Sequence, residues 1–399
     1  MRPSILFYST CAAVILAIPA DGDEPADAEA GTVIANARLR SEFVDQEGFA
    51  DDASALTLRL RLGYETAPLH GVVGLIEFEQ VETLVDDYNS TTNGVTTRPV
   101  IADPEGTELN RLQLTWTTAP FGSVAVGRQR LVHDDARFLG DVGFRQNQQT
   151  LDALNVNANV LERIDVNYAY INRVQRIFGP ESPVGSVDSD SHALRASVSP
   201  ADDVEVVAYA YLLDFETALP SSDTYGARVS AQHELNGDWR IEGLGEFANQ
   251  SPAAAGAGDL DYWRVSGGLR RGPLGFSARR EQLSGDGVRG FSTPLATLHA
   301  FQGWADAFLA TPADGLADTA VSAQYAFDLD GPVSRIALTG VAHDFESDRN
   351  TRDFGSELDL RLVASLPHGL SLEAKGARFE GDNGFADRDK FWLGMSWRR

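Results

Sequence analysis

The sequence predicts an all-β protein, a transmembrane antiparallel up-and-down β-barrel of about 18 strands (16–18). Three observations predict it. Residues 56–64 read Leu-Thr-Leu-Arg-Leu-Arg-Leu-Gly-Tyr, apolar at every even position, with Arg59 and Arg61 between. Successive strand side chains point to opposite faces, so this stretch has one apolar and one cationic face. The same two-residue period recurs down nearly the whole 399-residue chain. The connections between these ribbons alternate between short turns and long polar loops, as in barrels of bacterial outer membranes.

The first segment, residues 1–20, reads as a signal peptide. Arg2 supplies the positive start, residues 5–18 an apolar core, and Ala17 to Ala20 a small-residue end before Asp21. A buried first helix is the alternative. Residues 21–399 then form one barrel domain, since no shift in composition marks a linker. Cys11, the only cysteine, lies in the first segment. The mature chain is therefore expected to lack disulfides, thiol catalysis and thiolate metal sites. Beyond that segment no window approaches the roughly 20 apolar residues of a spanning helix. In lipid only spanning helices and closed barrels satisfy every backbone group. The net charge of −25 argues against nucleic-acid binding, which needs a basic surface.

The elements follow in order. Residues 32–43 place Val33, Ala35, Ala37 and Leu39 opposite Asn36, Arg38, Arg40 and Glu42. Residues 56–64 are the second ribbon. Residues 71–79 are the third, after a short connection over 66–70. Residues 83–106 lose periodicity and read as a long polar loop. Residues 110–118 set Leu112, Leu114 and Trp116 against Arg111, Gln113 and Thr115, and a turn at 119–122 leads into 123–130. Alternation returns around Tyr168, Val229, Val265, Val321 and Leu360, and in the last segment Phe391, Leu393, Met395 and Trp397 share a face. Short turns are expected near 200–203, 235–238, 271–273, 328–332 and 367–369. Long loops are expected at 174–190, 249–259, 284–317 and 380–387.

The polar face carries Arg38, Arg40, Arg59, Arg61, Arg111, Arg228, Arg264, Arg270 and Arg361. One Lys or Arg on the lipid side at the bilayer midplane costs about 2–4 kcal/mol, so this face is expected to point inward. Buried charges need partners, so the interior is wet, lined with Arg–carboxylate pairs, or both. Glu42, Glu77, Glu79, Glu242, Glu246 and Glu373 are available as partners. Two readings stand side by side: a structural ladder of arginines held by acids, or a cationic track for anionic solutes.

Two stretches go beyond this texture. One contains Gly127-Arg128-Gln129-Arg130-Leu131, then Asp134 to Gly140, then Phe144-Arg145-Gln146-Asn147-Gln148-Gln149-Thr150-Leu151-Asp152-Ala153. The other is Phe291 to Asp306. Both resemble the alginate-export family of outer-membrane barrels and the porin-like proteins grouped with it. The resemblance implies an 18-stranded monomeric barrel with an arginine-rich channel for acidic polysaccharide or related anions. It also implies that Arg128, Arg130, Arg137, Arg145 and Asp152 line or constrict the pore. Leu151 stands where that family commonly has an aromatic residue. Residues 132–150 mix Asp, Arg, Gln and Gly without alternation, which suits either a loop folded into the lumen or an ordinary loop tied by Asp–Arg pairs. In the second stretch Leu298, Phe301, Ala305 and Leu309 fall at helical spacing, either as a short lid over the pore mouth or as structural capping.

None of the seven histidines lies in a Gly-x-Ser-x-Gly or His-Glu-x-x-His context. His133 reads as a polar lining residue. No cofactor motif appears, and no enzyme activity is expected. The expectation is a Gram-negative outer-membrane channel that passes small anionic or carbohydrate solutes passively. Its expected partners are outer-membrane lipid, lipopolysaccharide and the barrel-assembly machinery, and its expected state is a monomer. The competing expectations are a closed structural or adhesive barrel and a soluble periplasmic β-protein.

Overall fold

The structure is a computed structural model that describes residues 31–399 apart from 236, 255 and 257. The expected signal peptide lies outside the described residues. Among the described residues eighteen strands run β1 (Thr32–Gln46), β2 (Ala53–Glu65), β3 (Val72–Asp87), β4 (Gly106–Thr118), β5 (Gly122–Gln129), β6 (Thr150–Leu161), β7 (Ile164–Gln175), β8 (Ser186–Ala201) and β9 (Val204–Leu213). They continue as β10 (Ser222–Glu234), β11 (Trp239–Pro252), β12 (Leu260–Arg271), β13 (Leu274–Leu283), β14 (Leu316–Asp328), β15 (Arg335–Glu346), β16 (Asp353–Ser365), β17 (Leu370–Gly381) and β18 (Arg388–Arg398). Each pairs antiparallel with its sequence neighbours, and β1 closes on β18. Among the described residues closure leaves no strand edge unpaired, which is what a lipid environment demands. The two arginines after Trp397 belong to this seam: Arg398 pairs with Asn36, and the Arg399 amide donates to the Ala35 carbonyl at 3.0 Å.

Side-chain parity sorts every wall into two faces. Outward rows include Leu60 and Leu62, Leu112, Leu114 and Trp116, and Leu358, Leu360 and Leu362, all exposed. Inward positions on β2, β3 and β16 carry Arg59, Glu77, Glu79, Glu357 and Asp359, all buried. A water-soluble sheet would do the reverse, so the apolar outer band fits lipid. The main apolar core lies inside the barrel, where wall residues such as Tyr209, Tyr262 and Phe379 pack with Phe138, Leu295 and Phe308 from two long connections.

Short turns cluster on one rim (residues 162–163, 202–203, 272–273) and long connections on the other (88–105, 130–149, 284–315). The expected 83–106 loop is shorter, because β3 runs to Asp87 and β4 starts at Gly106. Ladder pairs such as Asp87–Ser54 continue above the apolar band, where outward positions meet water and periodicity is not required. The same applies to 174–190, of which only 176–185 is connection. The helix expected near 298–309 is a single 3₁₀ turn at Leu298–Ala300. Gly303 follows in a left-handed conformation at φ +82°. Of the residues at the expected helical spacing, Phe301 and Ala305 are buried and Leu309 is exposed; Trp304 and Phe308 are buried beside them. Their spacing serves an irregular segment on the inner wall rather than a lid at the mouth.

Candidate functional site: a constricted lumen

Two connections, 130–149 and 284–315, fold into the barrel and join each other there. Leu139 and Leu295 form an isolated parallel bridge, and the Gly140 amide donates to the Leu295 carbonyl at 2.8 Å. The Thr297 amide donates to the Ala136 carbonyl at 3.0 Å, and Gln149 Nε2 donates to the Gly140 and Leu295 carbonyls. A segment leaving the wall must satisfy its backbone polar groups elsewhere, and these two do so largely on one another. Val142, β-branched, sits at φ +50°, a conformation held only where the surroundings over-determine it.

The joined segments rest on opposite walls by different means. Toward β9–β13, Phe138 lies among Tyr209, Tyr211, Tyr262 and Phe291, with ring centroids 5.0–6.2 Å apart. Asp135 meets Arg264 at 2.7 Å and Arg228 at 3.3 Å, and Arg137 meets Glu281 at 2.6 Å. Burial alone would raise the Asp135 carboxyl, but the two arginines overcome it and hold it down to about 2. His133 is buried between the Tyr211 hydroxyl at 3.0 Å and Asn167 Oδ1 at 2.8 Å. Asn167 Oδ1 can only accept, so Nε2 carries the proton and Nδ1 accepts from the tyrosine. Burial pushes this ring below the usual histidine range.

Toward β1–β4 lies the arginine cluster. Arg40 pairs with Asp103 and, at 3.5 Å, with Glu42. Arg61 pairs with Glu79. Arg111 grips Glu77 with two bonds of 3.0 and 2.7 Å. Asp103 stays below the usual carboxylate range, because Arg40 and Arg145 outweigh its burial. Arg38 differs. It donates to Gln146 Oε1 at 2.8 Å and to the Gly143 and Arg145 carbonyls, with no carboxylate within 4 Å among the described residues. Arg59 likewise donates to Asn36 Oδ1, and among the described residues its Nε has no partner. Among the described residues, two cations of the cluster therefore have no carboxylate in direct contact.

The remaining expected pore residues fall in three places. Arg130 faces open space, half exposed, with Asp141 at 2.6 Å. Arg137 and Arg145 are buried on carboxylates, Arg145 on Glu42 at 3.1 Å and Asp306 at 3.2 Å. They fasten the constriction rather than face a solute. Arg128 and Asp152 were expected in the pore, but the register puts them in the rows of the outward Val126 and Leu154. Arg128 grips Asp152 and donates to the Leu109 carbonyl on β4 at 3.0 Å. It closes the seam left where the chain leaves β5 for the interior, so these two residues are wall rather than lining.

Sequence reasoning missed Lys375 and Lys390. Both sit at inward positions, on β17 and β18, next to Asp306 and His299 of the second inward segment. For Lys390, alternation with outward Phe391 and Leu393 was the available signal.

No family model matches the chain, and no curated protein matches it. Solved structures do. OpdO of Pseudomonas aeruginosa superposes with a TM-score of 0.69 at 15% identity, over 93% of this chain and 97% of that one. OccAB2 of Acinetobacter baumannii gives 0.68 at 14% identity, over 92% and 98%. OpdQ of Pseudomonas aeruginosa gives 0.64 at 15% identity, over 92% and 98%. The likeness establishes a porin-like 18-stranded barrel fold. It gives no support to the alginate-export family in particular.

Proposed function

We propose that the chain is an outer-membrane porin-like channel passing hydrophilic anionic solutes, of the sugar-acid or oligosaccharide kind, by passive diffusion. The observation that carries this is the pair Arg38 and Arg59, inward-facing guanidiniums without a carboxylate partner in a cluster that also holds Arg40, Arg61 and Arg111. Uncompensated charge at a narrow point selects by sign, and pore width selects by size. The fold shared with Occ and Opd barrels supports the channel.

Its place is then the outer membrane of a Gram-negative bacterium, as a monomer delivered by the barrel-assembly machinery. Lipid covers the apolar band, and divalent cations bridge acidic loops to lipopolysaccharide.

The test is conductance of purified, refolded protein in planar bilayers, with the reversal potential read in a salt gradient. An anion-selective open channel is expected. A cation-selective channel overturns the arginine track. The extent to which the two inward segments fill the interior favours a second reading, a closed structural or adhesive barrel. Complete absence of openings would establish that reading instead.

A further inference from the structure

Three parts of the chain meet at Asp306, and a fourth, β17, meets its partner His299. Its Oδ1 accepts from His299 Nδ1 at 2.7 Å, and its Oδ2 accepts from Lys390 Nζ on β18 at 2.8 Å and Arg145 Nη2 of the other inward segment at 3.2 Å. The second ring nitrogen of His299, Nε2, lies 2.6 Å from Lys375 Nζ on β17. An ammonium has hydrogens to give and no lone pair to receive them. Nε2 must therefore accept, and Nδ1 carries the one ring proton. The ring is fixed as a single neutral tautomer, stacked on Phe144 with centroids 3.5 Å apart. Lys375 is enclosed in turn by Trp304 at 4.0 Å and Phe144 at 4.7 Å. The Trp304 and Ala305 amides donate to Asp359 and Glu357 on β16 at 3.3 and 2.7 Å.

We propose that His299 is an acid-sensitive latch: its neutral ring holds the 284–315 segment against β17 and β18, and protonation releases that segment from the wall. A proton on Nε2 turns the acceptor into a donor and sets two cations 2.6 Å apart. The groups facing the ring are Asp306 on its own segment, Lys375 on β17, Lys390 on β18 and Arg145 from the other inward segment. Glu42 on β1 lies behind Arg145, and Glu357 and Asp359 on β16 lie behind Ala305 and Trp304. Asp306 favours the charged ring, whereas burial, Lys375 and Arg145 oppose it. Burial, the largest influence, pushes the ring down to about 3. In a released segment the ring meets water and returns to about 6.5. The latch is therefore complete above about pH 6.5 and weakens as pH falls below it, because the released state takes up the proton first.

Trp304 and Trp392 flank the latch, so its state can be read without any transport. Intrinsic fluorescence and acrylamide quenching in detergent, from pH 7.5 to 3.5, compare the wild type with His299→Gln. Glutamine keeps an acceptor for Lys375 and a donor for Asp306 but does not titrate. Acidification is expected to red-shift the wild-type emission and at least double its quenching. In the variant, onset should move at least one pH unit lower. A wild type unchanged to pH 3.5, or a variant that follows it, overturns the latch. If the variant does not fold, Trp304→Phe in the wild-type background decides: a diminished acid response supports the latch, and an undiminished one overturns it. Because fluorescence needs no open pore, failure of the channel reading and failure of the latch are distinguishable; in bilayers release appears as increased conductance.

Discussion

The lumen has two unlike sides. Toward β9–β13 the charges meet in pairs and aromatic rings fill the remaining space. Asp135 lies between Arg228 and Arg264, Arg137 lies on Glu281, and Phe138 is surrounded by tyrosines. Toward β1–β4 the cations exceed their partners, and Arg38 and Arg59 lean on carbonyl and amide oxygens. Burying a charge without a counter-ion is costly. The first side is built to hold, whereas the second keeps a charge imbalance.

Substitutions should separate the two sides. The largest effect is expected at Asp135→Ala, which strands Arg228 and leaves Arg264 with Glu246 alone; it should cost about 3–5 kcal/mol, read as a lower midpoint in heat-modifiable gel migration. Phe138→Ala should cost about 3–5 kcal/mol by opening a cavity and should also raise conductance as the constriction loosens. Arg59→Gln should leave the thermal midpoint almost unmoved, since no carboxylate loses a partner, yet should reduce the anion-to-cation permeability ratio several-fold. A large stability loss there would erase the distinction between the sides.

Acid tests the first side through His133. Its ring is held below the usual histidine range, so its contribution is complete above about pH 6.5 and is lost as pH falls below that value. Hydrogen exchange at the 133–140 amides should accelerate on acidification beyond its intrinsic pH dependence, while exchange in the β2 ladder stays at its intrinsic rate. The smallest effect is expected at the short-turn rim. Removing the exposed Arg163–Asp202 pair, 3.1 Å apart, should change stability by less than about 1 kcal/mol.

Much of this was legible in the sequence. The alternation of Leu58, Leu60 and Leu62 with Arg59 and Arg61 is a local property, and lipid on one side makes it obligatory, so strand identity and facing could be read from residue order. Strand ends above the lipid escape that obligation, and β3 and β4 accordingly run past the expected loop boundary. Arg128 and Asp152 looked like pore residues because their neighbours in the chain turn inward. Only the register, with Arg128 opposite outward Leu112, shows that the wall keeps them. The His299–Asp306–Lys375 contact joins residues distant in sequence through a segment without periodicity, so no local pattern announces it.

The bridge between Leu139 and Leu295 has a mechanical consequence. An empty cylinder of strands resists squeezing only through the bending stiffness of its sheet, and an uneven load flattens it toward an ellipse. Here the joined segments reach β1 and β2 through Gln146, which meets Arg38 and Thr57, β3 through Gln148 on Glu79, β12 and β13 through Asp135 and Arg137, and β17 and β18 through His299 and Asp306. They act as a tripod of spokes inside a hoop. A lateral load on the barrel is carried across its diameter, so the cross-section is held against flattening.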